Sequence, residues 1–474
     1  MAGVSAVFSD KDSTLKTYFG LFQVHHRGQG SSGISAAGDH SIRTYSGNGL
    51  MNTVFPEKIM DILIHPHDYA SIGYAGKENE NEKNVPPIEI KSEIDFEDYK
   101  ISVAMDGMIL NHSELEKKFG FETTTDEELF GRIFYKYLKD TNDLEVSAHR
   151  IMEELDEAYY SLVMLVQDKN KNETKLLGLR DKRGLKPMRV GQNENDFIIT
   201  SESGAVNVLE RLGKELKEKR DVEPGELLIV SKDGFYTKQI MPSEPAHCIF
   251  EWVYTARPDS VINGITAHEV RKELGRNLVK LHNIKDDGNS IVIGVPDSGR
   301  SVALGISEES GIPFEEGIIK NQYVGRTYII KDPEKRKLFA FLKHDSIKEV
   351  VKGKRVIIGD DSIVRGTISE AISKILKEAG AKEVIFAVSY APIFEPCFDD
   401  EPNKKLAAAE FKGMDIYEIG RRVAERLPSI DKVLYNDVDS VVKAVGLSED
   451  HLCRKCISCE NPFEKWLFLN YLRY

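Results

Sequence analysis

No cysteine precedes Cys248 in this chain, and only five occur in its 474 residues. So few thiols exclude a small secreted domain built on disulfides. Runs of about 18 apolar residues are missing, so nothing in the sequence has the pattern of a membrane-spanning helix. The opening MAGVSAVFSDKDSTLK lacks the basic segment and apolar stretch of a secretory leader, and a soluble, cytoplasmic protein is the expectation. A basic excess is also lacking. Lys plus Arg number 64 against 77 Asp plus Glu, a net charge of −13, which argues against a nucleic-acid partner held through its phosphates. Neither G-x-G-x-x-G nor G-x-x-x-x-G-K-[ST] stands where a strand meets a helix, which weakens a dinucleotide or P-loop reading. What remains is ordinary soluble composition, 41% hydrophobic and 30% charged, with length for two to four domains.

To about Val230 the chain reads as short apolar runs broken by turn signals, among them GVSAVFS, SIGYAG, ISVAMDGMIL, SLVMLVQD, KLLGLRD, FIITSES and GELLIVSKDG. These predict a strand-rich α+β domain. A helix is predicted from Asp126 to Leu138, where Leu129, Ile133, Phe134 and Leu138 recur at helical spacing. The polar, proline-interrupted stretch from Lys77 to Asp95 reads as an exposed loop. From about Thr266 the order becomes strand, loop, helix, strand, which predicts a parallel sheet covered by helices. Thr367 with Glu370 fits a capping box opening a helix with Ile368, Ile372, Ile375 and Leu376 on its apolar face, ended by Gly380. From Leu406 onward the pattern is mostly helical.

The richest stretch lies between a predicted strand and that helix: Asp360, Asp361, Ser362, Ile363, Val364, Arg365, Gly366 and Thr367. A turn there aims successive N–H groups and hydroxyls at one point, and the helix dipole adds partial positive charge, which makes a phosphate cradle. Two adjacent carboxylates would repel a phosphate, so they should meet hydroxyls or a hydrated metal ion. A sugar phosphate meets both demands. The run VIIGDDSIVRGT resembles the phosphoribosyl pyrophosphate (PRPP) signature of type I phosphoribosyltransferases. In that resemblance Pro296, Asp297, Ser298, Gly299 and Arg300 form the pyrophosphate loop. The stretch from Lys320 to Thr327, with Gln322, Tyr323 and Arg326, resembles the loop that closes over PRPP.

CIFEWVYTARPDSVINGI from Cys248 and GIPFEEGIIKNQYVGRTYI from Gly311 resemble glutamine PRPP amidotransferases more narrowly, as do HHRGQGSSGI at His25, TTTDEEL at Thr123, LLGLRDKRGLKP at Leu176 and RDVEPGELLIV at Arg220. The resemblance spans almost the whole chain. It implies an α+β N-terminal-nucleophile (Ntn) hydrolase-type domain of four layers over 1–235, followed by an α/β phosphoribosyltransferase domain with a parallel sheet over 236–474. It also implies PRPP as substrate, Mg²⁺ held by Ser298, Asp360 and Asp361, purine-nucleotide effectors, and a homo-oligomer, the family's homotetramer.

The glutaminase half departs from the family pattern at three places. Ala2 stands at the nucleophilic cysteine, Gly76 at the arginine that clamps the glutamine carboxylate, and Asp106 at the asparagine of the oxyanion hole. Asp126 and Arg27 match family positions but cannot perform the chemistry. An inactive glutaminase is therefore expected, with ammonia replacing glutamine as nitrogen donor. Gln322 stands where the family usually has arginine. A regulatory paralogue that binds PRPP or nucleotides without turnover is the alternative.

Cys453, Cys456 and Cys459 form C-x-x-C-x-x-C. Some family members carry a [4Fe–4S] cluster, and Cys248, Cys397, Cys453 and Cys456 match its four ligands; Cys459 lies outside the pattern. Zinc is the alternative, because thiolates alone do not separate the two.

Overall fold

The computed structural model describes residues 1–90, 98–212, 215–321, 323, 341–400 and 404–464. The chain divides into two compact units, Met1–Cys248 with Val261–Asn263, and Ile249–Ser260 with Gly264–Tyr474.

In the first unit a seven-stranded sheet has the spatial order Glu218–Asp221, Arg189–Gln192, Asp196–Thr200, Gly3–Ser9, Ala70–Gly76, Ser31–Ala37 and Ile42–Asn48. A six-stranded sheet runs Gly234–Gln239, Glu226–Ser231, Glu173–Arg180, Ala158–Asp168, Tyr99–Ile109 and Ile88–Glu89. Side chains alternate between faces along each strand. Val4, Ala6 and Phe8 of the first sheet pack with Ala104, Val163, Leu165 and Leu228 of the second, forming the layer between the sheets. Val103, Met105, Leu162 and Met164 face the other way, onto Leu129, Ile133, Phe134 and Leu138 of helix Asp126–Thr141 and Ile151 of helix Leu144–Glu154. Helix Ser13–Val24 covers the far face of the first sheet through Leu21 and Val24 on Ile34 and Ala36. The result is helix, sheet, sheet, helix: the four-layer Ntn-type architecture. Apolar runs without alternation arise because both faces of these strands are covered.

The second unit holds a parallel sheet of Ser290–Gly294, Arg355–Asp360, Glu383–Val388 and Lys432–Tyr435, in that spatial order. Ile293, Ile358, Phe386 and Val388 meet Ile372 and Leu376 of helix Thr367–Glu378 on one face. Val292, Ile357 and Ile385 meet Leu278, Val302 and Ile306 on the other.

Three local expectations need correction. The helix at Thr367 has no capping box: Gly366 is its N-cap, at φ 81°, and the Glu370 carboxylate accepts instead from Ser429 N (3.1 Å) and Ser429 Oγ (2.6 Å). A long-range partner has outcompeted the local one. Lys432–Tyr435, inside the stretch expected to be mostly helical, is a sheet strand, because Val433 and Tyr435 fill the core beside Val388. Within the expected Lys77–Asp95 loop, Val85 and Ile90 are buried and Ile88–Glu89 pairs with Ser102 and Val103.

Candidate functional site

Strand Arg355–Asp360 delivers Asp360 and Asp361 to its carboxyl end, the edge of an open parallel sheet where ligands bind. Both residues are only 6% exposed. The pair is built from its own surroundings. Asp361 N donates to Asp360 Oδ1 (2.9 Å) and Ser362 Oγ to Asp361 Oδ1 (2.6 Å), while Ser389 N and Tyr390 N hold the main-chain carbonyls of Asp360 and Asp361 at 2.9 and 3.0 Å. Burial, then the neighbouring Asp361, pushes the Asp360 carboxyl well above the usual carboxylate range. Burial also raises Asp361, opposed by the Ser298 and Ser362 hydroxyls and by Arg271. Two buried carboxylates share one place with hydroxyl donors, which stabilises a shared proton or a cation.

The turn at 297–299 is pressed onto this strand. Val295 N donates to Gly359 O at 3.0 Å, and a Cβ on Gly299 would fall 2.1 Å from that same oxygen, so only glycine fits. Ser298 thus reaches the acidic pair. Asp297 points outward and pairs with Lys320 (2.7 Å), while Arg300 lies 3.6 Å from Glu316. Gly366 occupies a left-handed turn against Leu427 and opens the helix at Thr367; Arg365 is half-buried beside it. Tyr323 is 99% exposed and gathered with none of these groups. Gln322 and Arg326 lie outside the described residues. A cavity of about 390 Å³, lined by His282, Tyr417, Arg421 and strand residues Lys432–Leu434, includes none of the predicted site residues.

The pocket at Ala2 is of another kind. Ala2 N donates to Asp106 Oδ1 (2.9 Å), Arg27 Nη2 to Asp106 Oδ2 (2.9 Å), Arg27 Nε to Ala2 O (2.8 Å) and Arg27 Nη1 to Glu202 Oε1 (2.8 Å). His26 Nε2 also meets Glu202 Oε1 at 2.8 Å. Arg27, Asp106 and Glu202 are buried. At Gly76 a Cβ would fall 2.0 Å from the Tyr74 hydroxyl, and a Cβ on Gly28 would fall 2.3 Å from Gly76 Cα, so the backbones touch where a clamping side chain would emerge. Asp126 already receives Ile109 N (3.0 Å) and the His112 ring (2.6 Å). Its neighbourhood to Asp126 raises the His112 pKa, against the opposing effect of burial.

Among the cysteines, Cys453 is buried and Cys397 exposed. Burial pushes the Cys456 thiol up to about 12; the Tyr390 hydroxyl opposes this, and nearby Cys397 and Cys453 add to it. Cys248 belongs to the first unit. Among the described residues, no three His, Cys, Asp or Glu side chains are grouped to hold a metal ion, so the four-cysteine set does not stand preassembled. No described helix is long and apolar enough to cross a membrane.

Sequence reasoning missed Arg271, Tyr390, Glu202 and His112. No local pattern marks them: Glu202 meets Arg27, 175 residues away, and Tyr390 meets Cys456, 66 residues away, while His112 reaches Asp126 across a turn between two helices.

The chain is 33% identical to an amidophosphoribosyltransferase of Methanocaldococcus jannaschii over 98% of both chains. It is 35% identical to one of Archaeoglobus fulgidus over 94% of both, and 31% identical to one of Bacillus subtilis over 96% of this chain and 92% of that one. A solved structure, glutamine PRPP amidotransferase from B. subtilis complexed with ADP and GMP, aligns with a TM-score of 0.81 at 29% identity, covering 97% of both chains. No family model matches the chain.

Proposed function

The chain belongs to the amidophosphoribosyltransferases of purine biosynthesis, and from that premise we propose that it makes 5-phosphoribosylamine from PRPP with free ammonia, its glutaminase half being inert. The observation carrying this reading is the closed network of Ala2, Arg27, Asp106 and Glu202. An acyl-enzyme route needs a nucleophile, a substrate clamp and an oxyanion hole. Here Ala2 has no nucleophilic side chain, Gly76 carries no clamp, and Asp106 offers an acceptor already held by Arg27 and Ala2. Asp126 has one oxygen on Ile109 N and the other on the His112 ring.

In the second unit, Asp360 and Asp361 would receive the ribose hydroxyls, and the loop from Ser362 to Thr367 the 5′-phosphate. Ser298 and Arg300 would meet the pyrophosphate, with Lys320, Tyr323 and Arg326 assisting from the closing loop. Asp360, Asp361 and Ser298 fit a divalent cation chemically, since two buried carboxylates with raised pKa gain most from a positive charge. When bound, Mg²⁺ supplies charge neutralisation for the pyrophosphate. The ammonia lone pair attacks the anomeric carbon, the bond to the pyrophosphate oxygen breaks with its electron pair, and the ammonium nitrogen then sheds a proton to water. Lys320 begins paired to Asp297 and would exchange that partner for a pyrophosphate oxygen.

Purified protein with Mg²⁺ and PRPP should release pyrophosphate with ammonium and none with glutamine. Glutamate released from glutamine would overturn the inert-glutaminase reading, and silence with ammonium would favour the regulatory paralogue. For the cysteines we propose the cluster set, Cys248, Cys397, Cys453 and Cys456, on the resemblance of their sequence contexts to the family's, with Cys397 and Cys453 near Cys456 in support. Iron and acid-labile sulfide in anaerobically purified protein test it against zinc. Purine-nucleotide effectors and a homo-oligomer belong to the same proposal and are tested by nucleotide inhibition and sedimentation.

A further inference from the structure

Tyr390 joins two regions that the proposed function treats separately. Its main-chain N–H donates to Asp361 O at 3.0 Å, next to the Ser389 N bond to Asp360 O, so the end of strand Glu383–Val388 extends to grip both acidic residues by their backbones. Its side chain is fully buried, with its ring 5.1 Å from that of Phe250, and its hydroxyl lies 3.1 Å from Cys456 Sγ. The Cys456 carbonyl in turn accepts from Phe394 N (2.9 Å) and Glu395 N (3.3 Å), four and five residues beyond Tyr390. The cysteine segment is therefore fastened to the 390–395 stretch at three points, and one of them is the far end of a rigid aromatic side chain whose backbone holds Asp361.

We infer that Tyr390 is a positioning residue for the acidic pair, with the Cys456 sulfur as its anchor. A phenol has few rotamers, so fixing its hydroxyl fixes its Cα and the N–H that bonds Asp361. Two buried, mutually repelling carboxylates have reason to move apart, and a backbone held at Asp360 and Asp361 resists this.

This inference rests on the reading of Asp360 and Asp361 as the PRPP site. The test is calorimetric binding of Mg²⁺–PRPP to full-length protein, unmodified and as Tyr390→Phe, Cys456→Ala and the double variant. Tyr390→Phe keeps the ring and its packing and loses only the hydroxyl. Each single change should weaken binding about fivefold, the cost of one hydrogen bond, and the double variant should be no weaker than the poorer single. In steady state the loss should appear in the KM for PRPP with kcat for ammonium kept. If Cys456→Ala does not fold, Tyr390→Phe decides alone. Binding by the unmodified protein with no change in Tyr390→Phe, or effects that multiply in the double variant, overturns the anchor while leaving the site reading intact. No PRPP binding by the unmodified protein overturns both.

Discussion

Both units bury adjacent acidic groups, and they treat them in opposite ways. Around Ala2, the carboxylates of Asp106 and Glu202 are matched by the Arg27 guanidinium and a main-chain N–H, each at hydrogen-bond distance. At the end of strand Arg355–Asp360, the carboxylates of Asp360 and Asp361 lie side by side and press on each other, relieved by the Asp361 main-chain N–H, serine hydroxyls and the charge of Arg271. A satisfied buried charge stabilises one arrangement and leaves nothing for a ligand to gain. An unsatisfied pair costs stability and is relieved by whatever cation or hydroxyl enters. In the function proposed above, the first pocket serves as scaffold and the second as a binding site.

The sharpest way to break this contrast is Asp360→Asn with Asp361→Asn. PRPP turnover should fall at least about a hundredfold, while the melting temperature at neutral pH rises, because the raised pKa values mean the ionised pair opposes folding. Lost activity with lowered stability would place the pair in the scaffold class. The converse is Arg27→Met, which strands Asp106 and Glu202 without their guanidinium. Denaturant unfolding should show a loss of about 3–5 kcal/mol, with ammonium-dependent turnover per folded molecule unchanged.

Next in size is Glu127, a buried carboxyl without a cation, which burial pushes up to about 8. It stays protonated in the fold and ionises on unfolding, so its contribution is fully present below the ordinary glutamate range and is lost as pH rises to about 8. Glu127→Gln should therefore match the unmodified protein in thermal melts near pH 4 and exceed it increasingly up to about pH 8, by at most about 5 kcal/mol. The smallest effect belongs to Ser298→Ala, which removes the hydroxyl that serves both carboxylates. Mg²⁺–PRPP affinity should weaken about fivefold with the melting temperature unmoved.

Much of this was legible beforehand. GVSAVFS became strand Gly3–Ser9, and VIIGDD became the strand that ends on the acidic pair, because burial on both faces demands continuous apolar runs whatever the neighbours are. Helix Asp126–Thr141 followed its apolar spacing. Legibility ended where a partner lay far along the chain. The Thr367–Glu370 box is a good local signal, yet Glu370 went to Ser429, and strand Lys432–Tyr435 is too short to announce itself until Val388 gives it an edge to join. At the sites, the substituted positions Ala2, Gly76 and Asp106 could be read one by one. That Asp106 would be locked by Arg27, or Asp126 taken by His112, could not.

By itself, then, the sequence determined the long apolar strands, the acidic loop and the family, since these depend on residue type at short spacing. Tertiary structure alone decided which buried carboxylates are neutralised and which are left in tension. Their partners come from other strands and helices, 79 residues away for Arg27 with Asp106 and 175 for Arg27 with Glu202, and only sheet register and packing set those distances.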